Sequence, residues 1–120
     1  MIYESATMLR DTNGPDTPKG DAGDNYIFGG NGPDTLKGRR GDDIFEGGNG
    51  PDTFVFKNPS TRDGDVDRIV DFENADRGIN LSKADLADLE LDYSGGNTIA
   101  TVGGWTLVIE NAHLDVSDFF

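Results

Sequence analysis

The chain contains no cysteine, so neither a disulfide framework nor a cysteine-built zinc cluster can hold it together. Its one histidine, His113, leaves histidine-based metal or triad chemistry without ordinary partners and reads as a structural or surface residue. Basic residues are few, 10 against 23 acidic ones, for a net charge of −13. The basic footprint of a nucleic-acid binder is therefore missing. No apolar run reaches the length of a membrane span, and Met1 to Arg10 lacks the apolar core of a cleaved secretory leader. Neither HExxH nor a nucleophile elbow occurs, so no catalytic residue is assigned and a non-catalytic module is expected. Any catalysis would belong to residues outside this sequence. Hydrophobic residues make up only 34%, while glycine takes 17 of 120 positions. A large apolar core is out of reach, and ordering that much glycine costs extra entropy. Some other stabiliser is needed.

What the chain has instead is periodicity. Asp11 to Val55 divides into five rows of nine: DTNGPDTPK, GDAGDNYIF, GGNGPDTLK, GRRGDDIFE and GGNGPDTFV. Glycine holds every fourth place (Gly14, Gly23, Gly32, Gly41, Gly50), and an acid or its amide every sixth (Asp16, Asn25, Asp34, Asp43, Asp52). The text NGPDT returns every eighteen residues, from Asn13, Asn31 and Asn49. The chain thus turns every nine residues and comes back to the same side every eighteen, as a coil with two strands per circuit. Six places of each row are turn material, with Pro15, Pro33 and Pro51 setting φ beside the glycines.

The last three places make a minimal strand whose middle residue points inward. That inward set is Pro18, Ile27, Leu36, Phe45 and Phe54, one thin core between two parallel sheets whose coils stack about 4.8 Å apart. Pro18 is a poor strand residue, so the first row is expected to be edge-like. Outward places sort by side: Lys19, Lys37 and Val55 on one sheet, Tyr26, Phe28, Ile44 and Glu46 on the other. The second face is apolar enough to predict that another part of the chain covers it.

Beyond Val55 the nine-residue register stops, and Asn58 to Asp65 reads as a loop. Val66 to Phe72 and Ile79 to Leu81 suggest strands, and Ser82 with Asp85 resembles a capped helix start before Leu86 and Leu89. Leu91 to Tyr93 reads as an edge strand before the Ser94 to Asn97 turn. Thr98 to Val102 and Trp105 to Ile109 read as a hairpin around Gly103 and Gly104. This half is expected to be a β-rich cap on the coil, with Trp105 in its core. The divisions are an N-terminal edge segment (1–10), a repeat coil (11–56) and a cap (57–120).

Acids in register every nine residues point to bound cations rather than to random acidity. A hard cation takes six to eight oxygens, and one glycine-rich turn with one carboxylate cannot surround it. Two turns stacked on the same side can. The period of eighteen pairs row one with three, three with five, and two with four, for three sandwiches.

The rows GGNGPDTLK and GGNGPDTFV resemble the GGxGxDxUx nonapeptide of the RTX, or haemolysin-type calcium-binding, repeats, where U is a large apolar residue. The resemblance implies an all-β chain. A right-handed parallel β-roll of two sheets would be followed by a β-rich C-terminal cap with one short helix. It implies calcium, about three ions in the roll with one or two more at its ends. Asp16, Asn25, Asp34, Asp43 and Asp52 would be the side-chain ligands. Carbonyls would come from Gly14, Gly23, Gly29, Gly30, Asn31, Gly32, Gly41, Gly47, Gly48, Asn49 and Gly50. Asn25 departs from the pattern, so its side should bind more weakly. Asp24 or Asp42 could compensate electrostatically. Rows one, two and four also lack one or both leading glycines, with Asp11, Thr12, Asp21 and Arg39 in their places, so looser turns are expected there.

DRIVDFENADRGINLS (Asp67 to Ser82) resembles the segment that follows the roll in RTX proteases and alginate epimerases. It makes Asp67 a further candidate ligand, against a solvated acidic loop. An EF-hand is excluded there, because Arg68 stands where its glycine is required. The family is exported from Gram-negative bacteria by type I secretion with an uncleaved C-terminal signal, and Asp118, Phe119 and Phe120 resemble its end. The function implied is a secreted, monomeric calcium-binding module that folds on meeting extracellular calcium and supports secretion. An alternative uses Lys19, Lys37, Arg39 and Arg40 as a contact for an acidic, alginate-like polysaccharide in a carbohydrate-active enzyme.

Overall fold

Three-residue strands are too short to be stable alone, so each must find a neighbour in register. The computed structural model describes residues 7–10, 17, 19–20, 23–38, 41–56, 65–72, 78–81 and 86–120. Four strands come from rows two to five: β2 (Asn25–Phe28), β3 (Thr35–Lys37), β4 (Ile44–Glu46) and β5 (Thr53–Val55), and they follow β1 (Thr7–Arg10). Their pairings with one another are all parallel and eighteen residues apart. Ile27 lies opposite Phe45 in one sheet, and Leu36 opposite Phe54 in the other. Alternate rows therefore feed alternate sheets, as the double period requires.

The expected inward residues Ile27, Leu36, Phe45 and Phe54 are all fully buried. Phe45 meets Phe54 edge to face, with ring centroids 6.2 Å apart, a preferred aromatic geometry. Pro18 lies outside the described residues, as do Gly14, Asp16, Arg39, Arg40 and most of the expected loop at 58–65. Of the outward apolar face, Ile44 is buried and Tyr26 and Phe28 are half-buried. The Tyr26 hydroxyl donates to the Glu46 carboxylate.

The coil extends past both ends of the repeat text. Strand β1 keeps the spacing of eighteen, with Leu9 opposite Ile27. At the other end the motif stops at Val55 but the coil does not. Strand β6 (Val66–Ile69) adds to β4 with Phe45 opposite Ile69, and β7 (Gly78–Asn80) adds to β5 with Phe54 opposite Ile79. These offsets exceed eighteen because inserted residues lengthen the turns, which hides the circuit from a nine-residue count. Sheet hydrogen bonding tolerates insertions in turns as long as the strands regain register.

The cap then changes pairing mode. Strand β10 (Trp105–Ile109) joins β6 in parallel. Strands β9 (Asn97–Val102) and β8 (Glu90–Ser94) follow in antiparallel order. One sheet thus runs β1-β2-β4-β6-β10-β9-β8, and the other runs β3-β5-β7. The hairpin and edge strand stand where the turn residues place them. Trp105, Leu107, Ile109, Ala100 and Val102 are fully buried. Ser82 and Asp85 lie outside the described residues; Leu86 and Ala87 are helical, and Leu86 and Leu89 pack on the core.

The last residues are tied down. Asp115 caps the short 3-10 turn Val116–Asp118, and the hydroxyl and amide of Ser117 hold its carboxyl below the usual range. Phe119 is buried beside Ile79, and Leu81 N donates to Phe120 O at 2.6 Å.

Candidate metal site in the stacked turns

Each circuit has two turns, so the coil has two flanks. Among the described residues, the even flank stacks those just before β2, β4 and β6, and the odd flank stacks the turns before β3 and β5, with Asp71 beyond them. Sixth-place residues form a column inside each. On the even flank the Asn25 amide N donates to Asp43 Oδ1 at 2.8 Å, and the Asp43 amide N to Asp67 Oδ1 at 2.8 Å. On the odd flank the Asp34 amide N donates to Asp52 Oδ1 at 2.9 Å. Asn25, Asp34, Asp43, Asp52 and Asp67 are all buried. Asp67 is thus the sixth-place residue of the circuit after row four, beyond the inserted residues.

The glycines have two separate tasks. The first-place glycine makes room for its own row's carboxylate, since a Cβ at Gly29 would lie 2.7 Å from Asp34 Oδ2. The fourth-place glycine makes the turn. Gly50 has φ +103°, and a Cβ there would lie 2.6 Å from the Gly32 carbonyl of the turn below. Only glycine combines that backbone conformation with that approach. The result is a wall of stacked carbonyls beside a column of carboxylates.

Turn-to-turn hydrogen bonds zip the odd flank. Gly32 N donates to Asn49 O at 3.0 Å, and Asn49 N to Gly30 O at 3.1 Å. The Asn49 side-chain Nδ2 donates to Asn31 Oδ1 at 2.9 Å, a side-chain ladder that carbonyl counting does not reveal. A carbonyl oxygen has two lone pairs, so these bonds leave Gly30 and Asn49 further acceptor capacity. At the end of this flank Asp71 spans two glycine amides, accepting from Gly47 N and Gly48 N at 2.8 Å each.

The even flank is built differently. Its fifth-place acids form a second column: the Asp42 amide N donates to Asp24 Oδ1 at 2.8 Å, and the Val66 amide N to Asp42 Oδ1 at 2.7 Å. Pro33 and Pro51 hold that place on the odd flank and have no N–H to donate. Asp65 Oδ2 adds a contact to Gly41 N at 3.2 Å. Neither Asp65 nor Asp71 is flagged by the nine-residue register. The visible clue was the spacing from Asp67 to the inward Ile69, which repeats that from Asp43 to Phe45.

The donor set suits a hard cation. Among the described residues no three His, Cys, Asp or Glu side chains gather into a conventional cluster. Each flank instead offers single carboxylates stacked with glycine carbonyls, and such an oxygen-only mixture fits calcium. Unit charges about 5 Å apart repel by about 3 kcal/mol at an effective dielectric near 20. Buried aspartates stacked at strand spacing therefore call for a positive partner. Of the expected polysaccharide contacts, Lys19 and Lys37 lie side by side in the odd sheet.

Comparison with known proteins agrees with this geometry. The model of the RTX calcium-binding nonapeptide repeat matches residues 19–54 in four copies. The extracellular lipase LipA from Serratia marcescens shares the fold at 18% identity and a TM-score of 0.52, over 93% of this chain. This chain spans 20% of the lipase chain. Two subunits of the Azotobacter vinelandii mannuronan C5-epimerase, AlgE6R3 and AlgE6R2, align at 23% and 21% identity. They cover 97% of this chain and 83% and 92% of theirs, with TM-scores of 0.38 and 0.40 too low to bear on the fold. No curated protein sequence matches the chain. Residues 19–54, folded here as part of a parallel β-roll, thus match the RTX calcium-binding nonapeptide repeat.

Proposed function

We propose that the stacked turns are the calcium sites of this module, and that the chain is expanded where free calcium is scarce and rolls up outside the cell. The observation that carries this reading is the burial of Asp34 with Asp52, and of Asn25 with Asp43, in register inside glycine turns. Bound calcium would supply a dication that offsets the stacked carboxylates and draws six to eight oxygens around itself. Asp34 and Asp52 with the carbonyls of Gly29 to Gly32 and Gly47 to Gly50 would form the odd-flank site. Asn25 and Asp43 with Gly23 and Gly41 would form the weaker even-flank one. Asp16 and Gly14 of row one would pair with Asp34 for a third.

Folding and ligand binding are then linked by mass action, because the ligand set exists only in the folded turns. Extracellular calcium modules bind at about 10⁻⁴–10⁻³ M, which keeps such a chain open in a low-calcium compartment. Type I export fits this scheme. Phe120 N donates to Ile79 O at 2.8 Å, so this segment is tied to the coil only once the roll has closed. Circular dichroism with calcium and with chelator tests the reading. Strand content should appear with calcium, and calorimetry should count about three ions; full strand content after chelation would sink it.

A second reading rests on Lys19 and Lys37, adjacent in the odd sheet with Lys19 exposed. Ammonium groups at strand spacing suit an acidic polysaccharide. Alginate affinity abolished by Lys19→Glu with Lys37→Glu would support it, and unchanged affinity would exclude it.

A further inference from the structure

The even-flank column ends on an unusual partner. Asp67 continues the sixth-place series, accepting the Asp43 amide on Oδ1 at 2.8 Å. Its Oδ2 accepts the indole N–H of Trp105 at 2.7 Å, and both residues are fully buried. Indole nitrogen is donor-only and neutral. It gives a buried carboxylate a strong charge-assisted hydrogen bond without bringing in water or a second charge. Trp105 reaches this point from the first residue of β10, in the hairpin that joins the coil last in chain order. Its ring also touches Phe56 (centroids 5.0 Å apart), which touches Phe45 (5.1 Å), so the same side chain continues the aromatic core of the roll.

We propose that Trp105 is the end stop of the even-flank carboxylate column. Its indole N–H holds Asp67 where a further circuit would present a cation site, so Asp67 is a strut rather than a calcium ligand. The proposal rests on the calcium reading above and goes beyond it, because it assigns the column an end and a coupling. The bond exists only when the hairpin is docked and the column is in register, so closure of the cap and ordering of the turns become one event. Trp105 is the sole tryptophan, and its emission reports that event directly.

The test uses the full chain and calcium alone, with tryptophan emission, circular dichroism and ion count by calorimetry as readouts. In the wild type, emission and strand content should move together on one calcium titration. Asp67→Asn keeps an acceptor for the Asp43 amide but misplaces its amide group against the indole. Trp105→Phe keeps a ring but removes the donor. Each should raise the calcium midpoint with the ion count unchanged, and loss of a hydrogen bond to a buried charge should shift the folding equilibrium about tenfold or more. The double variant, followed by dichroism, should be little worse than either single one, because both remove the same bond. Asp43→Asn, by contrast, should lose an ion or bind it far more weakly.

An ion lost in Asp67→Asn overturns the proposal by making Asp67 a ligand. Fully additive single effects overturn it by showing no direct link. A wild type that binds calcium with unmoved emission overturns the coupling. A wild type that binds no calcium overturns the functional reading, a different pattern from the other three.

Discussion

The two flanks of the coil do the same job with different chemistry. The odd flank reads NGPD in each described turn, and the even flank reads GDN or GDD. Proline at the fifth place stiffens the odd turn before it folds, and its missing N–H needs no acceptor. Aspartate at that place leaves the even turn more freedom, but its carboxylate takes the amide of the next circuit. Beyond the sixth-place bonds that both flanks share, the odd flank thus adds local rigidity and an asparagine ladder, and the even flank a second column of carboxylate-to-amide bonds at the fifth place. The even flank also carries Asn25 where the other described rows have aspartate. It should be the flank that orders later and releases calcium first.

The strongest way to probe this contrast is at the feature both flanks share. Gly41 and Gly50 have φ of +92° and +103°, each facing a carbonyl 2.6 Å from a would-be Cβ. Gly41→Ala and Gly50→Ala should each cost at least about 2 kcal/mol from backbone strain and the clash, read by urea unfolding in saturating calcium. A much smaller loss at one of them would show that its turn is already relaxed. Asn25→Asp should come next. It restores the even-flank acid and should tighten that flank about tenfold, since ligand charge tunes calcium affinity. Without calcium the same variant should be less stable than the parent, because an added charge stacks on Asp43.

Smaller effects separate the flanks themselves. Asp42→Ala removes the acceptor for the Val66 amide and should cost about 1 kcal/mol. Pro51→Ala should cost about 0.4–1 kcal/mol through the unfolded chain. Its signature is a loss that does not depend on calcium, whereas the Asp42 loss should grow as calcium falls. Asn49→Ala cuts the exposed ladder to Asn31; about 0.5 kcal/mol is expected at such a solvated bond, measurable in the chelator midpoint.

Much of the roll was legible because its physics is local and periodic. Glycine at fixed places forces turns, and an apolar residue at the eighth place turns the middle of each strand inward. Ile27, Leu36, Phe45 and Phe54 could therefore be named before any coordinates. The extension through β6 and β7 was not legible as coil, because insertions between Phe56 and Val66 and between Phe72 and Gly78 break the count of nine. Strand pairing is indifferent to that count once the ends meet. Strand β1 was missed for a related reason: Leu9 sits eighteen residues before Ile27, but its row has neither glycine at the fourth place nor an acid at the sixth.

By itself, then, the sequence determined the coil, its period, its inward residues and the acid columns, since each follows from residue type at a fixed interval. Tertiary structure alone decided how the columns end. Asp71 grips Gly47 and Gly48, and Trp105 closes on Asp67 across 38 residues. A repeat can specify only what each row does to the next, because neighbouring rows interact through one fixed offset. What terminates the series must come from chain folded back from elsewhere, at a separation that no period encodes.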